Sequence, residues 1–141
     1  MTPHQIKLVQ DSFQEVEPIR DTAAMLFYTQ LFALDPTLRP LFKGDIQQQG
    51  KLLMTMIGAA VRGLTNLGTL APAVRQLGAR HAGYGVRTGH YATVGSALLW
   101  TLEQGLGEQF TPDVRDAWTA AYGLLAQVMQ QGAEAGATQS A

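Results

Sequence analysis

The stretch that decides the reading of this chain is Leu70-Ala-Pro-Ala-Val-Arg-Gln-Leu-Gly-Ala-Arg-His81. Leu70, Val74, Leu77 and His81 recur at helical spacing, so the imidazole falls on the apolar stripe that should face a core. A buried imidazole needs a partner for each ring nitrogen, and each one left unpaired costs about 1–3 kcal/mol. No carboxylate, cysteine or second histidine lies three or four residues away to share a metal or a proton. The partner must therefore be non-local. A core carbonyl is the default, and a haem iron is one candidate.

Outward from that helix, the totals narrow the choices. A chain of 141 residues suits one domain with a real core and room for a small-molecule pocket. Ten basic against eleven acidic residues leave no positive excess for nucleic acid or an anionic membrane. The absence of cysteine excludes disulfides, iron–sulfur clusters, thiolate nucleophiles and cysteine zinc sites. The start shows no charged segment leading into an apolar one, and no apolar run approaches the roughly 20 residues of a membrane span. The expectation is a soluble, cytoplasmic protein.

The periodic signals are helical throughout. Thr2-Pro3-His4-Gln5 supplies a cap, a first-turn proline and a capping-box glutamine, and Ile6, Val9, Phe13 and Val16 follow as one stripe. Pro18 restarts the chain into a mostly apolar helix through Leu34, which Asp35-Pro36 ends; Pro40 keeps the next residues to a tight turn. A third helix is expected from about Gln47 to Asn66, with Leu53, Ile57, Ala60 and Leu64 on one face. Pro72 is expected to open the fourth, Val86–Gly89 to form a turn, and Tyr91, Val94, Leu98 and Leu102 to line the fifth. Thr111-Pro112 caps the last helix, which carries Val114, Trp118, Leu125 and Val128. Residues 1–131 are expected to form the domain. The glycine- and alanine-rich residues 132–141 are expected to be frayed or disordered. The class is all-α, and helices of unequal length suit a globin-like arrangement better than a regular bundle.

Several chemistries drop out. Fifteen glycines include no phosphate loop after a strand, Ser12 and Ser96 have no nucleophilic context, and His4, His81 and His90 share no metal-ligand spacing. What remains is polar residues set in apolar helices, Tyr28 and Gln49 among them. Taken singly, Tyr28 reads as a tyrosine bonded to a carbonyl and Gln49 as a solvated helix start. By the same rule Trp100 and Trp118 read as core, and Lys51 and Arg80 as surface charge.

Together they form a pattern. Phe27-Tyr28, Leu31-Phe32, Asp35-Pro36, Arg39-Pro-Leu-Phe42, Gln49, Arg80-His81, Gly85-Val86, His90-Tyr91 and Ala117-Trp-x-x-Ala-Tyr-Gly123 resemble, in order and spacing, the bacterial single-domain haemoglobins of the Vitreoscilla type. These are related to the globin domain of flavohaemoglobins and to the globins of thermoacidophilic methanotrophs. The resemblance covers about Ile6 to Met129.

It implies a globin fold of six to eight helices around haem b, with reversible O2 binding at ferrous iron for storage or delivery. NO and CO would be further ligands. It equally implies an alternative, nitric oxide dioxygenation to nitrate with an external reductase, since no flavin- or nicotinamide-binding segment is present. A monomer or homodimer would serve either role. On this resemblance His81 is the proximal iron ligand, Phe42 lies against the porphyrin, and Tyr28 and Gln49 are the distal donors. Leu53 covers the iron, while Ile57, Leu77, Arg80, Tyr91 and Val94 complete the cofactor contacts. In the flavohaemoglobin lineage a glutamate joins the tyrosine matched by Tyr91 to make the proximal imidazole more basic. Its place here is Ala133, with Glu134 one residue, or about 100°, out of register. Strong proximal push is therefore not expected. A gas sensor lacks a signalling segment, and a cofactor-free helical interaction protein would show no Soret band with hemin.

Overall fold

The computed structural model describes the backbone of residues 1–42, 44–83 and 88–140, and the side chains of 1–42, 44–80 and 89–133. Six helices account for nearly all of it: α1 (Pro3–Val16), α2 (Arg20–Leu34), α3 (Ile46–Arg62), α4 (Leu67–Gly83), α5 (Thr88–Leu106) and α6 (Pro112–Ser140). Short 3-10 turns at Glu17–Ile19, Pro36–Leu41, Gly63–Asn66 and Gly107–Gln109 join them. No strand occurs among the described residues.

The caps of α1 and α6 are those expected of the sequence. The Thr2 hydroxyl accepts from the Gln5 N–H at 3.1 Å, and the Gln5 side chain accepts from the Thr2 N–H at 3.0 Å, closing the capping box. At α6 the Thr111 hydroxyl accepts from the Val114 N–H at 3.2 Å. Asp45 starts α3, its carboxylate accepting from the Gln47 N–H at 2.9 Å.

Three elements depart from the sequence reading: α5 already includes Thr88 and Gly89, expected in a turn whose residues 86 and 87 lie outside the described ones, and α4 and α3 differ as follows. α4 begins at Leu67, five residues before Pro72, so the proline lies inside the helix rather than at its opening. The amide that Pro72 lacks would have bonded the Gly68 carbonyl. Gly68 is exposed, which leaves its carbonyl open to solvent, while Leu67 packs on the core. On α3 the buried line is Gly50, Met54, Gly58 and Val61, one residue round from Leu53, Ile57 and Ala60, which are half-buried. The two glycines cause the shift. A Cβ on Gly50 would stand 2.9 Å from the Ala24 Cβ, and one on Gly58 would stand 3.4 Å from the Phe13 ring. α3 therefore seats on α1 and α2 through its glycine side.

The larger core cluster joins α1, α3, α5 and α6 around Val9, Phe13, Met54, Leu102 and Trp118; the smaller gathers Phe27, Tyr28, Leu31, Leu38 and Ala97. Ser12, unremarkable in the sequence, ties the ends of the chain together. Its buried hydroxyl accepts from Trp118 Nε1–H at 2.8 Å and donates to the Leu8 carbonyl at 2.6 Å. Ser12→Ala strands the indole N–H and is expected to destabilise by about 1–2 kcal/mol, read as a lower urea midpoint. The expected boundary at 131 falls within α6, where Gly132 is buried.

Candidate functional site

The site begins with an aromatic group at the end of α2. Tyr28 is 3 % exposed. Its ring meets Phe42 edge-on at 5.3 Å between centroids, stacks on Phe32 at 5.9 Å and meets Phe27 edge-on at 5.2 Å. Phe42 is delivered by the 3-10 turn that Pro36 and Pro40 enforce, and Asp35 fixes that turn by accepting from the Thr37 N–H at 3.0 Å. Arg39 clamps the result. Its carbonyl accepts from the Phe42 N–H at 3.1 Å, its guanidinium donates to the Phe42 carbonyl at 3.1 Å, and that guanidinium lies 5.4 Å over the Phe32 ring. The contacts of this clamp depend on the path of the turn, which no local pattern reports.

Gln49 comes to Tyr28 because Gly50 does not hold α3 away from α2. With Gly50 against Ala24 and the Tyr28 ring, the Gln49 side-chain amide lies near enough to the Tyr28 hydroxyl to act on its protonation. Burial pushes the Tyr28 hydroxyl up to about 12, an effect that Gln49 partly offsets, so it stays a protonated donor across the neutral range. Tyr91 and Tyr122 are also raised by burial. A tyrosine raised in this way favours the fold fully below about pH 10, where the unfolded group is still neutral, and less as pH climbs through the folded value. Stability is therefore expected to fall above about pH 10, and Tyr28→Phe to flatten that fall in urea titrations at successive pH values.

Beyond Gln49, Leu53 and Val94 are half-buried and pack on the same small cluster as Phe42 and Tyr28, with Ile57 one turn further along α3. Leu53 and Ile57 also border an apolar cavity of about 20 Å³ with Phe27, Leu98 and Trp118. Thr101, which also lines it, is satisfied by donating to the Ala97 carbonyl at 2.8 Å.

The opposite side is built by α4, α5 and α6. Leu77 is half-buried and Arg80 exposed on α4, and the backbone of His81 lies near that helix's end; the His81 side chain lies outside the described residues. Tyr91 on α5 is buried, and its carbonyl accepts from the Tyr122 hydroxyl at 2.6 Å. Gly95 makes room for that tyrosine, since a Cβ there would stand 2.8 Å from the Tyr122 ring. In the sequence Tyr122 stands only within the Ala117–Gly123 motif, and no local pattern signals a bond 31 residues away. Ala133 is half-buried on α6, and the Glu134 side chain lies outside the described residues.

Tyr28, Gln49 and Phe42 thus come into contact, with Leu53 and Val94 on the same cluster, while Arg80 is turned to solvent. Two protonated donors at the edge of a half-buried apolar wall suit a flat, largely apolar cofactor with a small polar ligand on one face. They do not suit a bare cation: among the described residues no group of three or more His, Cys, Asp or Glu could hold a metal ion.

The fold is all-α, and comparison with known proteins gives the family. The globin family model matches residues 25–129. A flavohemoprotein of Bordetella parapertussis is 38% identical over 106 residues, covering 73% of this chain and 26% of that protein. One from Vibrio cholerae is 31% identical over 131 residues, covering 91% of this chain and 33% of that protein. The chain therefore spans about a quarter to a third of the length of these curated relatives. Among solved structures, an engineered carbene transferase from Rhodothermus marinus, described as a candidate nitric oxide dioxygenase, superposes with a TM-score of 0.87 at 25% identity over 100% of this chain and 99% of that one. A bacterial globin from Campylobacter jejuni gives a TM-score of 0.82 at 24% identity over 94% and 96% of the two chains.

The chain belongs to the globin family. Its fold is the globin fold, and haem is its cofactor. No helix among the described residues is long and apolar enough to cross a membrane.

Proposed function

We propose that this globin domain holds haem b through His81 and binds O2 reversibly in a distal pocket made by Tyr28 and Gln49. The observation that carries the reading is the buried Tyr28, its ring held edge-on to Phe42 and its hydroxyl near the Gln49 side chain. Haem b supplies a ferrous centre for diatomic gases. The chain's residues decide which gas stays and for how long. Tyr28 and Gln49 donate to a ligand atom that carries partial negative charge, which favours O2 over the less polar CO. Leu53, Ile57 and Val94 exclude water from the same space. Leu77, Arg80 and Tyr91 are assigned to the proximal side, with Tyr91 fixed through its carbonyl by Tyr122. Ala133 stands on α6 where a carboxylate would add basicity to the proximal imidazole, and Glu134 is the remaining candidate for that role.

Nitric oxide dioxygenation is the second reading, favoured by the likeness to the Rhodothermus structure and to flavohemoproteins. Nitric oxide and O2 combine to nitrate with uptake of one electron, which a flavin reductase would supply. In either reading the domain is assigned to the cytoplasm, as a monomer or homodimer. Stopped-flow mixing of the reduced, O2-equilibrated protein with nitric oxide, in the presence of a generic flavin reductase, separates the two. A stable O2 complex without repeated turnover supports the carrier, and rapid repeated turnover to nitrate supports the enzyme.

A further inference from the structure

Gly78 and Gly132 lock α4 to α6 by direct backbone contact. A Cβ on Gly78 would lie 1.9 Å from the Met129 carbonyl oxygen, and one on Gly132 would lie 1.9 Å from the Arg75 carbonyl oxygen. The contact is reciprocal and antiparallel: 78 meets 129, and 132 meets 75. Both glycines are buried, and α4 packs more extensively on α6 than on any other helix. Such close approach brings glycine Cα–H groups against carbonyl oxygens and holds two helices at backbone distance. Gly78 lies three residues before His81, so the lock sits one helical turn from the end of α4 that carries the imidazole.

We infer that this pair positions the haem ligand: the end of α6 sets how far α4, and His81 with it, stands from the haem. The inference rests on the assignment of His81 to the iron. To reach the 3.4 Å at which ordinary contacts begin, any β-carbon at either glycine must push the helices about 1.5 Å apart. A stiff helix passes that displacement to its next turn, and the bond from histidine to iron tolerates little of it. Gly132, in the segment that composition marks for fraying, becomes part of the haem-binding apparatus.

The test compares wild type with Gly78→Ala and Gly132→Ala, using Gly68→Ala and Gly123→Ala as controls on the same two helices. At both control positions a β-carbon would meet nothing within 4 Å. The lock variants are expected to lose haem to an excess of apo-globin acceptor roughly 10–100-fold faster, the range for removing groups that orient a metal ligand. They are also expected to shift the ferrous iron–histidine stretch in resonance Raman, while the controls match wild type. A purely structural role would lower the melting temperature and leave the stretch unmoved, and that result overturns the inference.

Hydrogen exchange on the wild type decides the matter even if a lock variant fails to fold. Hemin is expected to protect the amides around 129–132 along with those around 75–81, because coupling between the two helices is reciprocal. Protection confined to α4 overturns the inference. A wild type that takes up no hemin overturns the haem assignment as well, whereas normal uptake with unchanged lock variants overturns the inference alone.

Discussion

His81→Ala is expected to remove most of the chain's haem affinity. An imidazole is the one ligand on α4 suited to iron, since that helix carries no other histidine and the chain no cysteine. Removing the ligand itself must exceed the roughly 10–100-fold that losing a supporting partner costs. Hemin titration of the variant is expected to give a weak, non-saturating Soret change. His81→Gly with added imidazole should restore a ferrous five-coordinate spectrum, because the free base replaces the side chain. His4→Ala, at an exposed position in the first turn of α1, should leave the spectrum unchanged. A normal five-coordinate ferrous spectrum in His81→Ala without imidazole would refute the assignment.

The second large effect belongs to the distal side. Tyr28→Phe keeps the ring, and with it the contacts to Phe27, Phe32 and Phe42, so the change isolates the hydroxyl. A hydrogen bond to a partly charged ligand contributes about 1.5–3 kcal/mol. The O2 dissociation rate should therefore rise roughly 10–150-fold. The CO dissociation rate should change far less, because CO carries less negative charge on its outer atom. With the hydroxyl raised to about 12, its contribution should be constant between about pH 6 and 9. Gln49→Leu should have the smaller effect, since Gln49 is an exposed residue and water can take its place. An unchanged rate in Tyr28→Phe would assign the donor to Gln49 or to water.

How far the sequence could be read depended on distance along the chain. Caps are local, so Thr2, Asp35 and Thr111 mark their turns without any knowledge of the fold. The stripe Val9-Phe13-Val16 is likewise buried as its spacing demands. Tyr28, Phe42 and Gln49 are legible only as a set, through the family resemblance in their order and spacing, because each alone is better explained as ordinary structure. The start of α4 is not legible in the sequence because a proline at a helix opening and a proline inside a helix look alike. What separates them here is an exposed Gly68 and a packed Leu67. The buried face of α3 was missed by one residue because glycine registers as a gap in an apolar stripe, yet Gly50 and Gly58 are where neighbouring helices come closest. The same blindness hid Gly78 and Gly132. Ser12 with Trp118 and Tyr122 with Tyr91 join residues 106 and 31 apart, and no local pattern reports such pairs.

The most direct test of the account is a hemin titration of the wild-type chain, followed by reduction and resonance Raman of the ferrous product. The account predicts a Soret band that saturates at one equivalent and a single iron–histidine stretch that is absent from His81→Gly. A chain that gains no Soret band, or one whose ferrous spectrum is indifferent to the loss of His81, would contradict it.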